Sequence, residues 1–148
     1  MPGIHDVQRL PYSAERMFDL VADVGRYQEF LPWVVATRVR SDNQAEMVVD
    51  MLVGFKALRE KFTSRVEKRR PFEIKVHYLD GPMRDLDNIW QFHPVDANSC
   101  DVEFDVRFSF RNALFEKLAG QQFDKAFRKM VAAFEERAAD LYGAPERS

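Results

Sequence analysis

Apolar residues recur every three to four positions near both ends of the chain and every second position in between. Near the start, Ser13 is a good N-cap and Glu15 sits well in a first helical turn. Met17, Phe18, Leu20, Val21, Ala22 and Val24 then outline a short helix. Gly25 is expected to break it, and residues 26–31 to add one or two further turns before Pro32 ends them. Ahead of this pair, residues 4–10 read as a first strand of poor alternation, with Ile4, Asp6 and Gln8 set against His5, Val7 and Arg9.

After Pro32 the period falls to two. Six strands follow, with inward phases Val35-Thr37-Val39, Met47-Val49-Met51-Val53, Leu58-Glu60-Phe62-Ser64-Val66, Phe72-Ile74-Val76-Tyr78, Leu86-Asn88-Trp90-Phe92 and Cys100-Val102-Phe104-Val106-Phe108-Phe110. Turn residues at 41–44, 69–71, 80–82 and 96–99 separate them, and Gly54 is expected to mark a bend or bulge. Links this short make neighbouring strands antiparallel.

The period returns to 3.6 over residues 112–142. Phe123, Phe127, Met130, Val131, Phe134, Ala138 and Leu141 share one side of a long helix that Gly143 and Pro145 stop. Leu114, Phe115 and Leu118 fall on roughly the opposite side. The switch lies around Gly120, where a kink or break is expected, with the first piece acting as a lid hinged there. A sheet with one wet face must cover the other, and this helix is the cover. The expected fold is α+β: a curved antiparallel sheet of about seven strands around a long C-terminal helix, with two short helices after the first strand. It forms one domain over residues 1–148, with a core at 4–142 and a tail at 143–148.

Composition changes this picture at one point. Thirteen Phe and six Met imply an interior rich in large, soft apolar groups. A formal charge of -2 gives no bulk attraction for nucleic acid, and DNA is not expected as a partner. Cys100 is the only cysteine, which excludes an intramolecular disulfide and a cysteine-based zinc site. No apolar run approaches the ~18 residues of a membrane span, and no secretory signal opens the chain. A cytoplasmic protein is expected, with peripheral contact at the inner membrane open to it.

Reactive constellations are missing from the sequence. His5, His77 and His93 have no partner at metal-ligand spacing, and no phosphate loop, H-E-x-x-H or G-x-S-x-G occurs. Cys100 reads as a small buried hydrophobe, and Asp85 with Asp87 as a solvated face. No catalytic residue, metal or cofactor is expected. Glu60, Ser64, Thr37 and Asn88 break the inward phases. They are satisfied by neighbours, or they orient the polar head of a ligand in an apolar cavity; Asn88, between Leu86 and Trp90, is best placed for that.

Two further stretches stand out. Lys56, Arg59, Lys61, Arg65, Lys68, Arg69 and Arg70 concentrate positive charge, as a solvated or protected sheet face or as a contact for anionic lipid or RNA phosphate. Tyr27-Gln28-Glu29-Phe30-Leu31-Pro32-Trp33 puts large apolar groups in a connection that is normally polar, as a plug over the core, as a mobile lip at a cavity mouth, or as a patch that touches membrane or a protein partner.

The run Tyr27-x-x-Phe30-Leu31-Pro32-Trp33 resembles the signature of coenzyme Q-binding, START-like proteins, within the polyketide cyclase/dehydrase and lipid transport superfamily. Gly54-Phe55, Phe62-x-Ser64-x-Val66, Gly81-Pro82 and Leu86-x-x-x-Trp90-x-Phe92 are similar to further landmarks in matching order. Met83 stands where the family often has an aromatic, and Val34 where it often has cysteine. The resemblance covers residues 4–142. It implies a helix-grip fold and a hydrophobic tunnel between sheet and helix. It also implies non-catalytic binding of ubiquinone or a similar polyprenyl lipid, in support of respiratory electron transport and quinone biosynthesis. Bacterial relatives with these motifs are ribosome association toxins that bind the large subunit and block subunit joining, which is the alternative reading. A polyketide aromatase/cyclase is a weaker one, because no acid/base pair is evident.

The side chains expected to meet such a ligand are Phe30, Leu31, Pro32 and Trp33 of the connection, and Phe127, Met130, Val131 and Phe134 of the helix. From the sheet they are Met51, Phe55, Phe62, Tyr78, Leu86, Asn88, Trp90, Phe104 and Phe108.

Overall fold

The computed structural model describes residues 3–55 and 58–143, the side chains at 55, 58, 115, 118, 119 and 122 excepted. Seven strands form one antiparallel sheet: β1 (Gly3–Leu10), β2 (Val34–Asp42), β3 (Glu46–Phe55), β4 (Leu58–Arg69), β5 (Glu73–Asp80), β6 (Met83–Asp96) and β7 (Ser99–Phe110). Their order across the sheet is β1-β7-β6-β5-β4-β3-β2. The first strand thus pairs with the last, and the two short helices lie within the β1-to-β2 connection. These are α1 (Ala14–Ala22) and a 3-10 segment, Val24–Glu29. The long helix α2 (Ala113–Tyr142) comes after β7. The expected α+β helix-grip architecture is the one observed.

Local chemistry sets the helix ends. Ser13 Oγ accepts from the Arg16 N–H at 3.2 Å and caps α1. At the far end of α2, Gly143 has φ +82°, a left-handed conformation that favours glycine, and its N–H donates to the Ala139 carbonyl at 2.9 Å. The break after α1 falls at Asp23 rather than Gly25, which lies inside the 3-10 segment.

The core lies between the inner sheet face, α1 and the C-terminal half of α2. The clean alternation of β7 holds: Cys100, Val102, Phe104, Val106 and Phe108 are all buried. Phe18 of α1 meets Phe92 edge-on at 5.6 Å. Phe134 of α2 packs on Trp90, Tyr27 and Phe30 at centroid distances of 5.5, 5.5 and 5.2 Å. Tyr142 closes the end by donating from its hydroxyl to the Arg16 carbonyl at 3.1 Å.

Several local expectations are corrected. Gly54 continues β3 in regular register opposite Arg59; the shifts sit between Val34 and Ala36 and between Val39 and Ser41 of β2. An extra residue in a strand flips the facing of the residues after it. Val34 is therefore the buried residue, while Val35 and Val39 are exposed. Phe72 belongs to the turn before β5 and is exposed, as is Leu141 at the last turn of α2. No break occurs at Gly120, and α2 runs through it as one helix. A helical glycine costs ~1 kcal/mol against alanine. A 30-residue helix anchored by aromatic contacts absorbs that. A Cβ added at Gly120 would meet nothing within 4 Å, so the glycine serves no close approach.

Candidate functional site

A cavity of about 40 Å³ lies between the inner faces of β1, β6 and β7, α1 and the middle of α2. Its deep wall is Leu10, Met17, Val21, Trp90, Val102 and Phe104. Phe127, Met130, Val131 and Phe134 of α2 roof it, and Asp6, Gln8 and Glu135 complete the lining. The roof residues recur at the helical repeat, which is why one stretch of α2 supplies all four. Phe127 is tilted against Phe104 at 5.3 Å, and Trp90 stands edge-on to Phe104 at 4.7 Å.

Of the residues expected to meet a ligand, Trp90, Phe104, Phe127, Met130, Val131 and Phe134 line this cavity. Phe108 is buried beside Phe123, 4.6 Å away, outside the lining. Met51, Phe62 and Leu86 pack half-buried against the core. Tyr78 turns its hydroxyl to the Met83 N–H, accepting at 2.9 Å. The Phe55 side chain lies outside the described residues. Asn88 is occupied at both ends: its amide donates to the Asp105 carbonyl, and its oxygen accepts from Trp90 Nε1, both at 3.0 Å. It holds the indole of the cavity wall in place rather than standing free as a head-group anchor. Thr37 likewise donates from its hydroxyl to the Gly25 carbonyl at 2.9 Å.

The aromatic connection is built into the core at most of its positions. Leu31 is buried, Phe30 and Trp33 are half-buried, and Pro32 is exposed. The Tyr27 hydroxyl donates to the Val21 carbonyl, and burial pushes its pKa up. Arg137 of α2 holds the connection: its Nη2 donates to Glu29 Oε1 at 2.6 Å and its guanidinium lies over the Phe30 ring at 5.2 Å.

Leu10, Met17, Val21, Val102, Asp6, Gln8 and Glu135 were not expected in the lining. A signal existed for two of them. The poor alternation of β1 arises because its inward phase, Ile4, Asp6, Gln8 and Leu10, carries two polar residues toward this cavity.

Elsewhere the charges are largely answered. Lys68 pairs with Asp42 at 2.6 Å, Arg70 with Asp19 at 2.8 Å and Arg69 with Glu67 at 3.4 Å, so much of the basic segment is neutralised. Lys56 lies outside the described residues. On the outer sheet face His5 and His93 share Glu103, at 2.7 and 2.9 Å. The Glu103 bond holds the His5 pKa above its usual value. Cys100 is fully buried, and desolvation pushes its thiol up to about 11. Among the described residues, no three His, Cys, Asp or Glu side chains converge as a metal site, and no helix is long and apolar enough to cross a membrane.

Residues 10–135 match the family model for polyketide cyclase / dehydrase and lipid transport. The chain belongs to this family. Within the family it is 36% identical over 134 residues to the ribosome association toxin RatA of Pseudomonas aeruginosa, across 90% of this chain and 93% of that one. It is 32% identical over 141 residues to the mitochondrial coenzyme Q-binding protein COQ10 homolog B of Xenopus laevis, across 93% of this chain and 58% of that one. These relatives are named as a toxin and a binding protein, not as enzymes. The crystal structure of the Zhui aromatase/cyclase from Streptomyces superposes with a TM-score of 0.81 over 93% of each chain at 16% identity, a likeness of fold alone. Val34 and Met83, the two positions that depart from the resemblance, are both buried in the core.

Proposed function

We propose that the protein binds an apolar small molecule of the ubiquinone class between its sheet and α2 without transforming it chemically. The observation that carries this reading is the cavity itself: its walls are almost wholly apolar, and they come from both the sheet and the covering helix. Phe127, Met130 and Val131 are only half-buried, whereas Phe134 and Ala138, one or two turns on, are buried. Small-molecule sites usually enclose ~300–1,000 Å³. A cavity of about 40 Å³ therefore marks where such a site opens, with Phe127 and Met130 swinging outward as the ligand enters. Likeness to a coenzyme Q-binding protein supports the ligand class. The role would be that of a carrier at the cytoplasmic face of the inner membrane, serving respiratory electron transport and quinone biosynthesis.

Lipid extracted from the purified protein and read by mass spectrometry is expected to contain a prenylated quinone. Titration with a short-tailed ubiquinone is expected to saturate and to raise the melting temperature, by about 2.7 kcal/mol of stability at a hundredfold excess over Kd. A protein that is empty as purified and binds no quinone or quinol sinks the proposal.

A second reading is favoured by the likeness to RatA, which spans 93% of that toxin's length. On that reading the protein binds the large ribosomal subunit and blocks subunit joining. The basic segment supports it less than its composition promised, because Lys68, Arg69 and Arg70 are tied to acidic neighbours. Sucrose-gradient profiles after overexpression test it: fewer joined ribosomes would support it, and an unchanged profile would count against it.

A further inference from the structure

The cavity's polar lining points to the chemistry of the ligand's head, on the reading of a bound apolar molecule given above. Met17, Val21 and Val102, on its deep side, are buried, whereas Glu135 is exposed and Asp6 and Gln8 are half-buried. The cavity therefore opens to solvent between the edge strand β1 and α2, and the polar end of a ligand sits at that opening.

Hydrogen-bonding capacity there is weighted toward acceptors. Gln8 Nε2 donates one of its two N–H groups to Asp6 Oδ2 at 2.9 Å, which leaves Asp6 Oδ1 and Gln8 Oε1 as acceptors and one Gln8 N–H as a donor. Glu135 adds two more acceptor oxygens and a second negative charge, and among the described residues no Lys or Arg lines the cavity. Ionised carboxylates accept and do not donate. A quinone ring carries carbonyl and ether oxygens, which also only accept. Seated against these carboxylates it would give up water and gain no partner from them, the remaining Gln8 N–H serving one of its oxygens at most, and an unpartnered polar group is costly. The hydroquinone of the same ring has two phenolic hydroxyls, and an O–H donated to a carboxylate is among the stronger hydrogen bonds. Anionic heads, such as a fatty-acid carboxylate or a phosphate, meet like charge.

The geometry points to a ligand whose polar end donates hydrogen bonds: the reduced quinol form of a prenylated quinone, taken in preference to the oxidised form and to anionic lipids. Asp6 and Glu135 are the residues that set this preference.

A decyl-tailed ubiquinone and its quinol, kept reduced under argon, provide a matched pair with the same tail. Their affinities are measured by calorimetry on the unchanged protein and on the double variant Asp6→Asn/Glu135→Gln, with circular dichroism reporting the fold. The quinol is expected to bind about tenfold more tightly, the size of one good charge-assisted hydrogen bond. The double variant, whose amides donate as well as accept, is expected to lose most of that difference. Glu135→Gln alone, at an exposed position, provides the same comparison with a partial loss should the double variant fold poorly. Equal affinity for the two forms in the unchanged protein, or an undiminished preference in the variants, overturns the inference and leaves the carrier reading standing. Failure of both forms to bind the unchanged protein removes the carrier reading and the inference together.

Discussion

Phe134→Ala is expected to lower the unfolding free energy by about 3–5 kcal/mol, the range for removing a buried phenylalanine. Phe134 is 5% exposed and meets three rings at once: Tyr27 and Phe30 of the connection and Trp90 of β6. It is the point at which α2, the aromatic connection and the sheet are joined. It also borders the cavity, so the hole left by the ring would merge with space already there, and collapse around it would be incomplete. The cost therefore belongs toward the upper part of the range, because it grows with the cavity that remains. For a domain of this size about 2–4 °C of melting temperature goes with each kcal/mol, so a fall of roughly 10 °C or more is expected. Urea denaturation checks it: the midpoint should fall with the slope unchanged. A loss below about 1 kcal/mol would mean that α2 is held mainly by its last turns.

The second large effect concerns the outer face. Asp50→Asn is expected to cost about 2 kcal/mol at neutral pH, in the range for hydrogen bonds to a buried charged group. Asp50 is buried and accepts from Thr63 Oγ1 at 2.6 Å and from Arg40 Nε at 2.8 Å. Thr63 is buried as well, so the pair leaves little room for water to replace a lost partner. The Thr63 hydroxyl and the Arg40 guanidinium hold the Asp50 carboxyl below the usual carboxylate range, against a desolvation that pushes the other way. A carboxyl whose pKa is lowered by folding stabilises above its unfolded pKa, near ~4. That contribution disappears as pH falls through the lower, folded value. The unchanged protein should therefore lose this share of its stability as pH falls below about 4. The asparagine variant has no such share to lose, so the two curves should converge on acidification. Urea titrations at pH 7, 5, 4 and 3 would show it, and a difference that stays constant with pH would exclude the charge as its source.

Much of the fold was legible because its signals are local. The inward phase of β7 could be read off Cys100, Val102, Phe104, Val106 and Phe108, since one face of that strand is wet and the other dry. Gly143 marked the end of α2 through a backbone requirement that only its own dihedral decides. The errors share a cause. At Gly120 a local preference was outweighed by the contacts that Phe127 and Phe134 make across the molecule. In β2 the alternation of Val35, Thr37 and Val39 promised one facing, and two register shifts against β3 produced another.

The candidate site divides in the same way. That the middle of α2 would turn Phe127, Met130, Val131 and Phe134 toward the sheet comes from helical spacing alone, and the sequence determined it. Asp6 and Gln8 entering the lining was decided by the pairing of β1 with β7, strands about a hundred residues apart in the chain. The fate of the basic segment was decided likewise, when folding set Arg70 against Asp19 and Lys68 against Asp42. Periodicity is a relation between neighbours and survives in any reading of the chain. Open volume and charge balance are relations between residues distant in sequence, and they come into being only when the sheet closes around its helix.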